Sequence, residues 1–423
     1  MAAVEARAGA GAAGPRMGAQ VVWLLALMVF INYVDRGNLA TASPQISEEL
    51  HLDNKQIGLL LSAFFWTYVP AQPLTGWLSE KISAYVTLGL GLAIWSVATA
   101  LTGLAHSFAL LMGLRLLLGL GESVAFPGSS KLFGRHLSHE RLGWANGLVG
   151  VGLALGPAFG TFFGGELIAK EGWRTIFLVF GALSALWLVP WYFATRKLVR
   201  HDLAKASDVT REPEPSVGAV LRRRAYWGTT LGHFFFLYAF YFVISWLPRY
   251  LEKAQGFTVK EMAVTAGEIY LVYAAASLAA GFVSDWMMAR GLGAGLSRKA
   301  FLTASNLLVF AALVACTLGD RSLSIAGLFV CAAAFGLNTP HIYSVCQTLA
   351  GPRASGKWVG LMNGVSNSAG ILSPLATGWI VEETGGYDWA FAAAAGSALV
   401  AAGTWLVVVG KVKPVAWSQA PAA

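Results

Sequence analysis

Charge is scarce in this sequence. Only 12% of its 423 residues are Asp, Glu, Lys or Arg, and 56% are hydrophobic, whereas a soluble domain has about 25% charged residues. With a mean hydropathy of +0.59, such a chain would not stay dispersed in water, so we predict a polytopic membrane protein. The apolar runs approach ~20 residues and do not alternate, which favours membrane-spanning helices over barrel strands.

Cysteine and nucleotide-binding motifs are also scarce. The three cysteines lie in or beside apolar runs and form no C-x-x-C pair: Cys316, Cys331 and Cys346. We therefore expect neither a disulfide framework nor a metal site. The sequence has no G-x-x-x-x-G-K-S/T loop, and its glycine-rich stretch at 291–295 follows a membrane segment without a preceding strand. ATP, a dinucleotide or another cofactor is therefore not expected, and the chain is not predicted to be an enzyme.

Long apolar segments dominate what is present, and they predict an all-α membrane protein with twelve transmembrane helices. The predicted spans are 17–40, 57–79, 84–104, 107–128, 143–166, 174–195, 226–250, 263–283, 299–318, 322–347, 356–381 and 387–410. A polar stretch with the sequence Glu-Pro-Glu-Pro separates the sixth span from the seventh. The predicted parts are a disordered cytoplasmic tail (1–16), an N-terminal half (17–195), a cytoplasmic linker (196–225), a C-terminal half (226–410) and a cytoplasmic tail (411–423).

The two halves repeat each other. In the fifth span an Asn-Gly pair precedes Pro157 by eleven residues, counted from Asn146, and the eleventh span has the same spacing from Asn363 to Pro374. One such repeated spacing could arise by chance, because glycine and proline are common in membrane helices. Several repeated spacings at matching positions predict two pseudo-symmetric six-helix halves with a binding site between them, as in secondary transporters.

Basic residues indicate the orientation. If both termini and the linker share one side, that side carries 21 Lys and Arg residues and the other side carries seven; Arg36 and Arg115 lie within spans. Basic loops remain in the cytoplasm, so both termini should be cytoplasmic. This asymmetry accounts for the net charge of +8 without a nucleic-acid partner. We expect a multi-pass protein of the plasma membrane, which in a bacterium is the inner membrane.

Four strongly ionisable residues lie well inside the spans, and their charges sum to zero: Asp35, Arg36, Arg115 and Glu122. A charge at bilayer depth costs roughly 3 kcal/mol, so such residues are usually paired or functional. One interpretation is static ion bridges between the first and fourth helices. The other is coupled transport. Removal of a carboxylate from water favours uptake of a proton, and a guanidinium whose partner is protonated becomes free to bind an anion.

Several motifs together resemble one family. They are Asn-Tyr-x-Asp-Arg at 32–36, Arg-x-x-x-Gly-x-Gly-Glu-x-x-x-x-Pro at 115–127, Trp-Leu-Pro-x-Tyr at 246–250, and Asn-x-x-x-Asn at 363–367 followed by Pro374. Over its whole length the chain resembles the major facilitator superfamily. Within it, the chain is similar to the anion:cation symporter family, which includes bacterial sugar-acid permeases and sialin-like carriers. The resemblance implies that Arg36 contacts the anion, that Asp35 and Glu122 take up protons, and that Arg115 couples them.

The loop after the second span and its counterpart after the eighth resemble the superfamily's conformational gate. The predicted gate residues are Gly76, Glu80, Lys81, Gly281, Asp285 and Arg290. The superfamily pattern continues Asp-Arg-x-Gly and then basic residues, whereas here Glu-Lys is followed by Ile-Ser-Ala-Tyr. The missing glycine and bases predict a weaker latch in the N-terminal half.

Further polar residues within spans are candidates for binding substrate hydroxyls. They are Asn32, Tyr33, Tyr68 and Gln72 in the N-terminal half and Tyr241, Asn338, Asn363 and Asn367 in the C-terminal half. For each, the alternative is a hydrogen bond between helices, worth about 0.6 kcal/mol. His233 and His341 are expected to be packing residues rather than proton relays.

The sequence thus predicts a monomeric, proton-coupled symporter that imports an organic anion by alternating access. A sugar acid of the hexonate, hexuronate or aldarate type is the expected substrate, with an aromatic acid or a small dicarboxylate as alternatives. A proton/drug antiporter of the same fold is a second possibility. Arginines at the centre favour an anion over a lipophilic cation. A receptor or scaffold without transport activity would not require balanced buried charges.

Overall fold

The computed structural model describes residues 17–52, 54–206, 214–253, 255–257, 259–318 and 321–417. The predictions for 1–16, for 207–213 of the linker and for 418–423 lie outside these residues. The helices in the described ranges are α1 (Ala19–Leu50), α2 (Asn54–Lys81), α3 (Ala84–Thr102), α4 (Phe108–Glu122), α5 (Ala125–His136), α6 (Leu142–Glu171), α7 (Trp173–Leu186), α8 (Leu188–Ala206), α9 (Val217–Leu221), α10 (Arg224–Lys253), α11 (Val259–Ala289), α12 (Ala300–Leu318), α13 (Arg321–Ala350), α14 (Ser355–Ser366), α15 (Ala369–Thr384) and α16 (Asp388–Val407).

These helices form the twelve predicted spans. The fourth span consists of α4 and α5, the sixth of α7 and α8, and the eleventh of α14 and α15, while α9 belongs to the linker. Within the residues that the structure describes, ten of the spans are long and apolar enough to cross a membrane. The other two, α2 and α14–α15, pack against each other where the halves meet.

The outer surface fits a lipid environment. Large apolar side chains are exposed on many helices, among them Phe162 (65% exposed), Leu375 (67%) and Trp379 (67%). In water these side chains would be costly to expose, whereas lipid chains solvate them. The chain is therefore a multi-pass, all-α membrane protein.

Helix α1 is longer than the predicted span 17–40, because its polar end packs on the start of α7. Gln45 accepts a hydrogen bond from the Trp173 backbone N–H (2.9 Å), and the Glu49 carboxylate accepts one from the Trp173 indole (2.7 Å). Glu49 also pairs with Arg174. Hydrogen bonds from Arg174 and Trp173 hold the pKa of the Glu49 carboxyl below its usual value. These contacts stabilise a helical stretch that hydropathy alone does not predict.

The break between α4 and α5 follows from Pro127. Proline has no N–H to donate to the carbonyl four residues earlier, which here belongs to Ser123. The Thr75 hydroxyl donates to that carbonyl instead (3.0 Å). The α4 helix ends at Glu122, so the kink places this carboxylate at a helix end in the middle of the fold.

Glycines position α1 against α6. A Cβ on Gly152, Gly156 or Gly160 would lie 2.6, 2.7 or 3.2 Å from a carbonyl oxygen of α1. These glycines recur every four residues and therefore form one face of α6. Their close approach to the α1 backbone fixes the rotation of the segment that carries Asp35 and Arg36.

Candidate functional site

A central cavity of about 440 Å³ lies between the halves. Four of its lining residues come from the N-terminal half and ten from the C-terminal half. They are Tyr33, Tyr68, Phe126 and Leu153, and then His233, Phe236, Leu237, Phe240, Tyr241, Tyr273, Thr339, Ile342, Tyr343 and Asn367.

Arg36 lies at the N-terminal side of this cavity. Its guanidinium carbon is 4.7 Å from the ring centre of Tyr33 and 4.4 Å from that of Tyr68, and both rings line the cavity. A third ring, of Phe64, lies at 4.6 Å. Such faces stabilise a cation away from water. The Nη2 atom of Arg36 is buried and has no hydrogen-bond partner, so part of the guanidinium fork remains available.

Arg36 pairs with Glu122. The Nε atom donates to Oε2 at 2.8 Å, and the side chains are 13% and 0% exposed. The other carboxylate oxygen of Glu122 is buried without a partner. The pair joins α1 to α4, which fits the interpretation of a static ion bridge between helices. It also lies beside the cavity, which fits the interpretation of coupled transport.

The other two central charges do not form a second bridge within the described residues. Asp35 accepts hydrogen bonds from Ser184 of α7 (3.1 Å) and from Asn38 (3.4 Å). Arg115 is 6% exposed, and its Nε has no partner. Its guanidinium carbon lies 5.6 Å from the ring centre of Phe64. The structure thus gathers all four predicted charges but directly pairs only Arg36 with Glu122.

Three predicted amides lie buried near these groups. Asn32, Gln72 and Asn363 are each 0% exposed, and none of their polar side-chain atoms makes a hydrogen bond of good geometry. Asn32 lies beside Glu122, and Asn363 lies beside His233 and Tyr343. Buried amides are nearly always bonded, so such groups indicate a place for water or a ligand. Asn32 lies one turn before Arg36, and Gln72 one turn after Tyr68, so these two face the same region.

The remaining predicted residues divide between the cavity and the helix packing. Tyr241 and Asn367 line the cavity, and the Tyr241 hydroxyl donates to the Asn367 carbonyl oxygen at 2.9 Å. Asn338 does not line it. Its amide donates to Ser305 of α12 at 2.8 Å, which is the helix–helix alternative.

Sequence reasoning missed most of the aromatic wall. His233, Phe236, Phe240 and Tyr241 lie on α10 with Leu237, at intervals of three, one, three and one residues. This is the i, i+3, i+4, i+7, i+8 pattern of one helix face. That periodicity was a usable signal, since it separates an aromatic stripe from the lipid-facing residues.

The predicted gate acids join the halves at the end of the molecule that carries the linker, here called the linker end. Glu80 accepts hydrogen bonds from the backbone N–H groups of Gly356 (3.0 Å) and Lys357 (3.4 Å), at the start of α14. Asp285 accepts them from Gly143 (3.0 Å) and Trp144 (2.6 Å), at the start of α6. Each carboxylate therefore caps a helix of the opposite half, where the helix dipole favours negative charge.

Basic residues other than the predicted ones form ion pairs with Glu80 and Asp285. Glu80 pairs with Lys131 of α5, and Asp285 lies 3.4 Å from the Arg298 guanidinium, which is fully buried. The predicted gate bases Lys81 and Arg290 are exposed instead. Arg290 stacks over Trp286 at 4.6 Å. The bases that follow the acids in sequence thus lie outside the contact, and bases from other segments take their place.

Two predicted gate glycines make the contact tight. A Cβ on Gly76 would lie 2.6 Å from the Gly356 carbonyl oxygen, and one on Gly281 would lie 2.4 Å from that of Gly143. Backbone therefore contacts backbone at both places where the halves meet. These two contacts, Gly76 with Gly356 and Gly281 with Gly143, are here called the seams. Asn146 and Gln347 add a hydrogen bond between the halves at 2.8 Å, and the linker end is closed.

Comparison with known proteins agrees with the motifs. A family model described as the Major Facilitator Superfamily matches residues 25–374. A probable sulfoacetate transporter of Cupriavidus necator is 31% identical over 88% of this chain and 89% of its own length. The hexuronate transporter of Bacillus subtilis is 28% identical over 93% and 94%. The predicted resemblance to sugar-acid permeases is confirmed.

A solved structure has the same fold. The superfamily transporter FucP of E. coli, in an outward conformation, superposes with a TM-score of 0.66 at 17% identity. The superposition covers 91% of this chain and 97% of that chain. The similarity supports two six-helix halves around a central cavity.

Proposed function

The chain belongs to the Major Facilitator Superfamily, and from this premise we propose that it is a proton-coupled symporter that imports an organic anion. The observation that carries the proposal is the buried Arg36–Glu122 pair (2.8 Å) beside a cavity lined by both halves. A carboxylate and a guanidinium in this position give one site that can hold a proton on the carboxylate and an anion at the guanidinium together.

The pair couples the two ligands by charge balance. A proton on Glu122 removes its charge and leaves Arg36 a cation without a counter-ion in a site mostly shielded from water. The acid group of a substrate can then replace Glu122 at the guanidinium. A proton and an anion together keep the site neutral, whereas either alone leaves an uncompensated charge. Each ligand therefore promotes binding of the other.

Asp35 and Arg115 extend this scheme. As the resemblance implies, Asp35 is a second proton carrier and Arg115 links the two acids. Ser184 and Asn38 hold Asp35 without a cation at hydrogen-bond distance among the described residues. Protonation of Asp35 would therefore change the net charge near Arg115 without breaking a bridge.

Alternating access uses the closed linker end. We propose that this end faces the cytoplasm of a plasma membrane, as the basic loops predict. Opening then requires that the Glu80 and Asp285 caps separate from the opposite half. The sequence predicts a sugar acid as substrate, and the relatives act, by their names, on a hexuronate and on sulfoacetate.

Uptake by purified protein in liposomes tests the proposal. An inward proton gradient should drive accumulation of a labelled organic anion, and collapse of the gradient by a protonophore should abolish it. The panel needs hexuronates, hexonates, aromatic acids and sulfonates. If no anion in such a panel is transported, the symporter proposal is wrong.

A further inference from the structure

The wall of the central cavity is chemically uneven. Of its fourteen lining residues, six have hydrocarbon side chains, five are tyrosines, and His233, Thr339 and Asn367 are the other three. The cation is at one end, because the two rings that flank Arg36 line the N-terminal side. An anion bound there would extend its body towards α10, α11 and α13 of the C-terminal half.

Four polar side chains on that far wall are already bonded to one another or to backbone carbonyls. The Tyr241 hydroxyl donates to Asn367, whose amide donates to the backbone carbonyl of Asn363 (3.1 Å). The hydroxyls of Tyr273 and Thr339 are 2.8 Å apart, and Thr339 donates to the Phe335 carbonyl at 2.9 Å. In these bonds the three hydroxyl protons are used, so the hydroxyls offer a ligand acceptor lone pairs only.

The space beyond this wall is apolar as well. An adjoining cavity of about 360 Å³ shares Phe240 and Tyr273 with the central one. Its other lining residues are Val243, Ile244, Ile269, Tyr270, Leu328, Ala332 and Phe335. The rings of Phe236 and Phe240 meet Phe335 edge to face, with centres 5.7 and 5.2 Å apart. A flat ring fits this geometry, since aromatic rings prefer edge-to-face and offset contacts.

The wall also indicates how many charges the ligand carries. None of the described residues that line the two cavities is Lys or Arg. A second acid group at the far end would lie against apolar rings without a counter-ion, which is strongly unfavourable. A monoanion therefore fits, whereas a dicarboxylate or a sulfonate-carboxylate does not.

We propose that the transported anion is an aromatic monocarboxylate, whose acid group binds at Arg36 and whose ring lies against Phe236 and Phe240. This rests on the proposed anion transport and narrows its substrate class. A sugar acid carries a hydroxyl on nearly every carbon. Those hydroxyls would lose water against a wall that is largely apolar and on which four polar side chains are already bonded to other protein groups. Mismatch of this kind between an apolar pocket and a hydroxylated ligand discriminates by roughly 100-fold.

Binding to the purified full-length protein tests the proposal. Binding is the suitable readout because aromatic acids cross lipid in their neutral form and obscure uptake. Phenylacetate, D-gluconate, D-galacturonate and sulfoacetate are titrated by calorimetry at one pH. Phenylacetate should bind about 100-fold more tightly than the three others, and Arg36→Lys should weaken its binding.

Two variants on one helix locate the ring. Phe240 lines the cavity, whereas Phe242 packs on Phe391 of α16 with ring centres 4.9 Å apart. Phe240→Leu keeps an apolar wall but loses the ring contact, so phenylacetate should bind about three to ten times more weakly. Phe242→Leu should leave binding unchanged. Equal effects of the two variants would overturn the placement of the ring.

The outcomes separate the two proposals. If gluconate, galacturonate or sulfoacetate binds more tightly than phenylacetate, and Arg36→Lys weakens that binding, the aromatic class is wrong and anion transport stands. If no anion binds in a way that depends on Arg36, both proposals are overturned.

Discussion

Arg36 and Glu122 are the residues on which the proposed coupling depends. The sequence located them because ionisable residues stand out inside apolar runs. It could not predict that Arg36 pairs with Glu122 while Asp35 is bonded to Ser184, because neighbours in sequence point in different directions. Which partner each one meets depends on the rotation of α1, and that is set by contacts with α6 far along the chain.

Replacement of the arginine tests the guanidinium itself. Arg36→Lys keeps the positive charge but loses the planar fork. We expect substrate affinity to fall by about 10- to 100-fold, as for loss of a charge-assisted hydrogen bond worth ~1.5–3 kcal/mol. Calorimetric binding of whichever anion the wild type binds measures this. Unchanged affinity would remove Arg36 from the site.

Glu122→Gln tests the proton. The amide resembles a protonated carboxyl, so Arg36 stays free for the anion at every pH. Substrate exchange between two equal pools should persist, whereas a proton gradient should no longer drive accumulation above equilibrium. Affinity should also depend less steeply on pH, since Asp35 is then the remaining proton carrier. Accumulation that survives the change would show a structural role for Glu122.

In the packing of the helices, the glycine face of α6 sets how closely α1 approaches and how it is rotated. The sequence predicted all twelve spans from the length of the apolar segments and from the repeat between the halves. It did not predict the extension of α1 to Leu50 or the bases at the gate, because both depend on partners distant in sequence. Lys131 and Arg298 could be counted only as basic residues near span ends until the fold placed them beside Glu80 and Asp285.

Gly156→Ala tests this packing. The new Cβ would lie 2.7 Å from both the Phe30 carbonyl oxygen and the Tyr33 Cβ, so α1 must shift. Overpacking of this kind costs about 1–3 kcal/mol. We expect a lower melting temperature and weaker substrate binding, since Tyr33 flanks Arg36.

Gly165→Ala is the matched control. It lies on the same helix, and a Cβ there has nothing within 4 Å. Alanine is a better helix former than glycine by about 0.5–1 kcal/mol, so the melting temperature should stay or rise slightly. Equal loss in both variants would show that the close approach to α1 is not what matters.

At the scale of the whole molecule, two related seams hold the linker end closed. Glu80 caps α14 of the C-terminal half, and Asp285 caps α6 of the N-terminal half. The sequence predicted both acids and both glycines from their repeated spacing. The latch that it expected to be weak in the N-terminal half has Lys131 in place of the missing loop bases.

Glu80→Gln combined with Asp285→Asn should favour opening of this end. Each loses charge-assisted hydrogen bonds worth ~1.5–3 kcal/mol, so the open population should rise by about tenfold or more for each change. Spin labels on the exposed positions Ser138 and Gly293, one in each half, would report a longer distance. Lys81→Ala is the control, since Lys81 is exposed, and its distance distribution should match the wild type.

The glycine contacts of the seams also affect how fast the linker end can open and close. A carrier makes and breaks its closure once for every molecule that it moves. A seal of large apolar side chains would expose that surface to water at each turn, and the seal would be slow to part. Here the parting surfaces are largely backbone and helix starts, and water can replace each carboxylate at the N–H groups it leaves. The closure is therefore reversible at little cost, which suits rapid turnover.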